Sequence, residues 1–262
     1  MSLFQEIEAL KAQLDLCRPL TPGEAQRLRE QFTIEYTYNS NAIEGNTLTL
    51  RETALVLEGV TIGEKPLKDH LEAVGHRDAF EYVTQLVSEK TPLSERVIKE
   101  LHSLVLIDRP TDKGVYRRVK VCIMGALRRP PEPHGIPELM ERLLKDHDLS
   151  ALNPIAKAAA FHLRFEGIHP FIDGNGRTGR LIMNMILMQS GYPPINLKFT
   201  YRRRYYDAFD SYDRSGDTGP MTRLIGEYVK TCRESDEALT KIRTGKGKGY
   251  ADTKELYADL SI

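Results

Sequence analysis

Twelve consecutive residues carry the densest chemistry in the chain: His169-Pro170-Phe171-Ile172-Asp173-Gly174-Asn175-Gly176-Arg177-Thr178-Gly179-Arg180. His169 is the one side chain of this run that can take up a proton near neutral pH. Asp173 offers a hard oxygen ligand of the kind that suits Mg²⁺. Gly174 and Gly176 permit a tight loop whose backbone N–H groups converge on an anion. Arg177 and Arg180 stand three residues apart, so they leave nearly one face of a helical turn. Two guanidiniums so placed can grip neighbouring phosphates by paired hydrogen bonds. A structural loop gains nothing from arginines where a helix N-terminus is already positive, so an anion is expected there. The set suits a metal-bound polyphosphate held beside a proton acceptor.

Such residues need a rigid frame, and the flanking sequence predicts two helices. Asn153 is a good N-cap and Pro154 suits the first helical position. The helix then runs through Phe165 to Ile168, and Pro170 ends it. A second helix is expected from about Arg177 through Leu181, Ile182, Met185, Ile186 and Met188, with its N-terminus and dipole aimed at the loop. Phe171, apolar among polar neighbours, is expected to anchor the loop in the core. Helices are predicted over 3–16, 22–44, 49–59, 67–89, 93–107, 136–149, 154–168, 177–190, 200–212 and 219–240, which makes the fold class all-α. Thr21-Pro22-Gly23-Glu24 carries a capping-box pattern at the start of the second of these. One segment breaks the helical period. Val119, Val121 and Ile123 alternate with Lys120, Cys122 and Met124, as in a short strand, between Gly114 and a turn at Arg129-Pro130-Pro131-Glu132-Pro133.

The string from His169 to Arg180 resembles the signature of the Fic family, His-Pro-Phe-x-(Asp/Glu)-Gly-Asn-Gly-Arg-x-x-Arg, at every specified position. The resemblance extends from about Phe32 to about Val229. It implies a Fic-type helical bundle with a small β-hairpin flap, and transfer of AMP from ATP to a hydroxyl of a target protein or of the chain itself. His169 would be the general base and Asp173 would hold Mg²⁺ (or Mn²⁺). Gly174, Asn175 and Gly176 would form the anion nest. Arg177 and Arg180 would neutralise the outer phosphates, with Thr178 and Gly179 completing the nucleotide-binding segment. A relative with Lys in place of the second glycine transfers phosphate, so Gly176 favours AMP.

Upstream, Asn39-Ser40-Asn41-Ala42-Ile43-Glu44-Gly45-Asn46 resembles the family's inhibitory motif. Ser40 and Glu44 are four residues apart on one helical face, and Gly45 can end the helix with positive φ. By resemblance, Glu44 pairs with Arg180 and keeps the γ-phosphate from its clamp. In some relatives the same glutamate helps remove AMP. The strand-like segment Val119, Val121, Cys122, Ile123 and Met124 resembles the flap on which a target protein docks by edge pairing. A tyrosine near Tyr205 and Tyr206 contacts the nucleoside in relatives. Many of them carry Asn downstream, where this chain reads Ser211-Tyr212-Asp213, so the base preference stays open. Transfer of UMP, GMP, phosphate or phosphocholine, and a non-catalytic nucleotide-binding regulator, stay open as alternatives.

Composition narrows the setting. The chain has 262 residues, 40% of them hydrophobic, and a formal net charge of zero, so no global basic footprint points to nucleic acid. No apolar run reaches a membrane span, and the polar, acidic start is unlike a signal peptide. Cys17, Cys122 and Cys232 are few, scattered and odd in number, which fits a reducing cytoplasm. His70 and His76 do not share a helical face and are expected to be surface or core histidines. The expected division is a helical region over 1–60 bearing the inhibitory motif, a Fic domain over 61–240 and a Gly/Lys-rich flexible tail over 241–262. Many relatives dimerise, so a homodimer is among the partners the resemblance allows.

Overall fold

The structure, a computed structural model, describes Gln5, Ile7 and residues 22–123 and 127–243. Nine α-helices span most of the described residues: α1 (Pro22–Ile43), α2 (Leu50–Leu57), α3 (Leu67–Ser88), α4 (Glu95–Val105), α5 (Ile136–Leu149), α6 (Pro154–Ile168), α7 (Asn175–Gln189), α8 (Arg202–Ser215) and α9 (Gly219–Arg243). Short 3₁₀ turns precede α5 and α8. Several helices begin on side chains suited to the task. Asn153 Oδ1 accepts from the Ala156 N–H at 2.9 Å, Ser94 Oγ from that of Val97 at 3.3 Å, and Thr49 and Glu52 close a reciprocal capping box. The capping-box pattern at Thr21 and the Met124 position lie outside the described residues, as do the tail from Thr244 and nearly all of the expected helix over 3–16.

The core is built around α7. Every residue from Arg177 to Leu187 is buried. A helix covered on all sides must sit at the centre of the packing, and α6, α3, α4 and α1 all lie against it. Each fully buried Leu, Ile or Met there contributes roughly 1.5–3 kcal/mol of transfer free energy.

The strand-like segment forms no ladder among the described residues. Among the described residues there is no strand, and residues 115–123 run without a ladder. The chain on the far side carries Pro130, Pro131 and Pro133, which have no N–H to give. The Arg117 N–H is already spent on Pro170 O at 2.9 Å. Val119 and Cys122 are exposed, and Ile123 is about a third exposed.

Candidate functional site

Helix α6 closes where Phe165 O accepts from the His169 N–H at 2.9 Å, and His169 itself turns left-handed with φ 49 and ψ 61. A side-chain-bearing residue rarely holds that conformation, which costs on the order of 1–3 kcal/mol. Arg117 braces it. This buried guanidinium donates to His169 O at 2.8 Å, Pro131 O at 2.7 Å and Val119 O at 2.9 Å. Its cation also meets the negative end of α6.

The loop after His169 is tied at three points. Phe171 is fully buried, with its ring stacked on that of His102 at 3.6 Å. Asn175 exchanges two hydrogen bonds with the Phe171 backbone, each at 2.9 Å. His102 Nδ1 accepts from the Gly114 N–H at 2.8 Å, so Nε2 carries the proton and donates to Asp173 O at 2.9 Å. Burial holds the His102 pKa down at about 4, so this neutral tautomer persists at neutral pH. Gly174, with φ 75, opens α7 with no side-chain cap, and the first N–H groups of the helix face the loop. Asp173 Oδ1 accepts from the Gly174 N–H at 2.7 Å, while Oδ2 faces Arg109 at 3.3 Å and Lys68 at 3.9 Å.

The two arginines of the run go to different places. Arg177 is 1% exposed and points to α3, where its Nη1 lies 3.0 Å from Glu72 Oε1; its Nη2 lies 3.5 Å from Asp173 Oδ1. Arg180 is equally buried and points to α1. Its Nε donates to Ser40 Oγ at 3.0 Å, and its Nη2 to Ser40 O at 2.7 Å and Glu44 Oε1 at 2.8 Å. Glu44 follows the last residue of α1, just before Gly45 with φ 92, and its side chain is 37% exposed. A Cβ at Gly176 would overlap Glu44 Oε1, so the carboxylate lies directly against the first turn of α7. Gly179 faces the other way, with a Cβ there meeting Glu166 Oε1 and His162 Nδ1 at 2.8 Å. Its missing side chain lets α6 approach α7. Thr178 is fully buried.

Tyr205 is 3% exposed, and its hydroxyl accepts from Arg180 Nη1 at 3.3 Å and sits 2.7 Å from His162 Nε2. Burial, seconded by the Arg180 charge, lowers the His162 pKa to about 3, so a neutral imidazole faces the Tyr205 hydroxyl. Burial raises the Tyr205 pKa, and the phenol stays neutral. Tyr206 is 46% exposed, and its hydroxyl donates to Ile43 O at 3.1 Å. Two further bonds fasten α1 to the same strip: Lys198 Nζ to Glu35 Oε2 at 2.7 Å, and the Phe199 N–H to Asn39 Oδ1 at 2.8 Å.

One cleft of about 500 Å³ gathers His169, Asp173, Gly174, Asn175, Gly176, Arg180 and Glu44 together with Tyr205, Tyr206 and Ile123. Arg177, Thr178 and Gly179 do not line it, nor do Ser40, Gly45, Val119, Val121 and Cys122. His70 bridges Ile62 N and Pro66 O, and His76 is buried beside Thr37. Among the described residues, no three His, Cys, Asp or Glu side chains gather as a metal cage. No described helix is long and apolar enough to cross a membrane. Arg117, His102 and Glu72 carry no sequence signal. Arg117 adjoins the exposed Arg118 with nothing in their types to separate them, and only packing distinguishes the two.

An all-α fold that sets an uncapped helix N-terminus beside a histidine defines a class, and comparison with known proteins places the chain within it. Residues 92–187 match the Fic/DOC family, and through this domain the chain belongs to that family. It is similar to the protein adenylyltransferase Fic of Drosophila erecta, 35% identical over 234 residues that cover 86% of this chain and 46% of the relative. The protein of the same name from Drosophila yakuba is 37% identical over 214 residues, covering 79% and 42%. The chain thus spans about half the length of the curated relatives it matches. Among solved structures, it is similar to a Fic domain containing signaling protein from Bacteroides thetaiotaomicron, with TM-score 0.81, 29% identity and coverage of 93% of this chain and 100% of the other. A fragment of Fic-1 from C. elegans gives TM-score 0.80 and 28% identity, covering 92% and 72%.

Proposed function

We propose that this chain is a self-restrained protein adenylyltransferase that moves AMP from Mg-ATP to a hydroxyl of a target protein. The observation that carries the reading is the shared cleft, where the open N-terminus of α7, His169 and Arg180 converge while Glu44 holds the arginine. The relatives named protein adenylyltransferase support the same activity.

Asp173 fits a divalent cation. It is one hard carboxylate, about a third exposed at the cleft edge, and Mg²⁺ commonly takes one or two carboxylates and completes its shell with phosphate oxygens and water. Bound there, the ion would neutralise phosphate charge. The remaining roles fall to the chain. The N–H groups at Asn175 and Gly176 and the dipole of α7 hold the polyphosphate, and Arg180, once released, pairs with its outer oxygens. His169 Nε2 takes the proton of the incoming hydroxyl. That oxygen bonds to the α-phosphorus, the bond from this phosphorus to the bridging oxygen breaks, and pyrophosphate leaves. The protein's part is positioning and charge neutralisation. With α1 in place, Glu44 competes for Arg180 and repels the outer phosphates. The unladdered segment at Val119, Val121, Cys122 and Ile123 offers backbone groups on which an extended target peptide can pair.

The test is labelling with α-labelled ATP and Mg²⁺ in wild type, Glu44→Gly and Glu44→Gly/His169→Ala. Strong label in the single variant and its loss in the double one are expected. Equal label with and without His169 would refute the base, and competition by UTP, GTP and CTP in the same assay identifies the base preference.

A further inference from the structure

Two polar atoms beside the cleft are left over by the hydrogen-bond network. Glu166 Oε1 and His169 Nδ1 are both closed off from solvent, and neither makes a hydrogen bond. Their side chains face each other, with Glu166 Oε2 3.7 Å from His169 Nδ1. His169 stands left-handed at the end of α6, three residues after Glu166. Glu166 is out of place on structural grounds. Its side chain is only 14% exposed, and it sits at the negative end of a helix that has no basic residue in its last turn. A carboxylate so placed costs free energy unless a donor or cation meets it. It lines the same cleft as His169.

We propose that Glu166 is the positioning residue of the base: its carboxylate accepts the Nδ1–H of His169, which aims the Nε2 lone pair at the incoming hydroxyl. The inference rests on the reading of His169 as general base. Closing 3.7 Å to hydrogen-bond length asks for a movement of about 1 Å. A base oriented by a third group is the arrangement that activates hydroxyl nucleophiles in general. When His169 takes the proton, the imidazolium finds a carboxylate at its other nitrogen. The other charged groups that share the cleft are Glu44, Arg128, Asp173, Arg180, Asp210 and Asp213. Arg117 meets the backbone carbonyl of His169.

The test compares Glu166→Ala, Glu166→Gln and Glu166→Asp in the full chain carrying Glu44→Gly. Glu166→Ala is expected to lower kcat roughly tenfold to a hundredfold, less than the 10²–10⁴-fold carried by a base itself, with KM for ATP unchanged. The acidic limb of the pH–rate profile is expected to move to lower pH, since loss of the carboxylate makes imidazolium easier to deprotonate. Glu166→Asp restores part of the rate. Glu166→Gln keeps an acceptor for Nδ1–H without the charge, and it shifts the limb while holding the tautomer. Imidazole ¹⁵N NMR reads that tautomer without turnover, and the Nδ1–H form is expected to give way to a mixture in Glu166→Ala. An unchanged limb and an unchanged tautomer in Glu166→Ala would overturn the proposal. A Glu44→Gly parent that transfers no AMP would sink the functional reading instead, and the NMR result would still decide the part played by Glu166.

Discussion

Arg177 and Arg180 leave the same end of α7, are equally buried, and each meets one glutamate, yet the two pairs are built differently. Glu72 lies within α3, is 8% exposed on its side chain, and is also held by Asn46 at 2.9 Å and Lys68 at 3.5 Å. Glu44 hangs from a turn beyond the end of α1, is 37% exposed, and has Arg180 as its ion-pair partner. A buried pair enclosed on every side cannot open without exposing an uncompensated charge. A pair with one partner at the edge of solvent can open when a better anion arrives. The first is closed into the scaffold, and the second lies where a competing anion can reach it.

The comparison can be broken most directly by removing one carboxylate at a time. Glu44→Gly should raise AMP labelling at least about tenfold, because apparent nucleotide affinity scales with the fraction of molecules whose arginine is free. Glu72→Gln should give no such gain. It should instead lower stability by about 3–5 kcal/mol, the usual consequence of stranding a buried charge, read as a fall in the calorimetric Tm. Activation by Glu72→Gln with Tm intact would erase the distinction between the pairs.

Acid sharpens it further. His102 and His162 have pKa values near 4 and 3 in the folded chain, below the ordinary 6.5, owing first to burial. The unfolded chain therefore takes up protons that the native one refuses, and their contribution to stability is lost as pH falls from about 6.5 toward these values. Tm measured from pH 7 to 4 should fall, and less steeply in a His162→Gln variant. A smaller effect is expected from Gly179→Ala. Its methyl would press on Glu166 and His162, costing about 1–3 kcal/mol as overpacking does, with the Arg180–Glu44 pair left intact. Strong activation by Gly179→Ala would show that the spacing of α6 and α7 governs the switch.

Much of the loop–helix unit could be read from sequence because its determinants are local. Asn153 and Pro154 start α6, Pro170 ends it, and Gly174 starts α7 two residues before the position expected for it. Side-chain direction could not be read in the same way. Arg177 and Arg180 share a helical face by spacing alone, but one meets α3 and the other α1, because the partners come from more than 100 residues away in each case. Arg117 and His102 escaped for the same reason. A buried arginine or histidine is defined by the carbonyls around it, and those belong to other elements. The strand period at 119–123 predicts a hairpin, and among the described residues this stretch makes no ladder.

The three bonds that fasten α1 to residues 198–206 have a thermodynamic consequence. Tyr206 both lines the cleft and holds the last carbonyl of α1. Whatever enters the cleft and turns Tyr206 away loosens the helix that precedes Glu44. By reciprocity, whatever pulls on α1 from outside changes affinity inside the cleft by the same factor. Occupancy of the cleft and the hold on α1 are two readings of one coupling free energy.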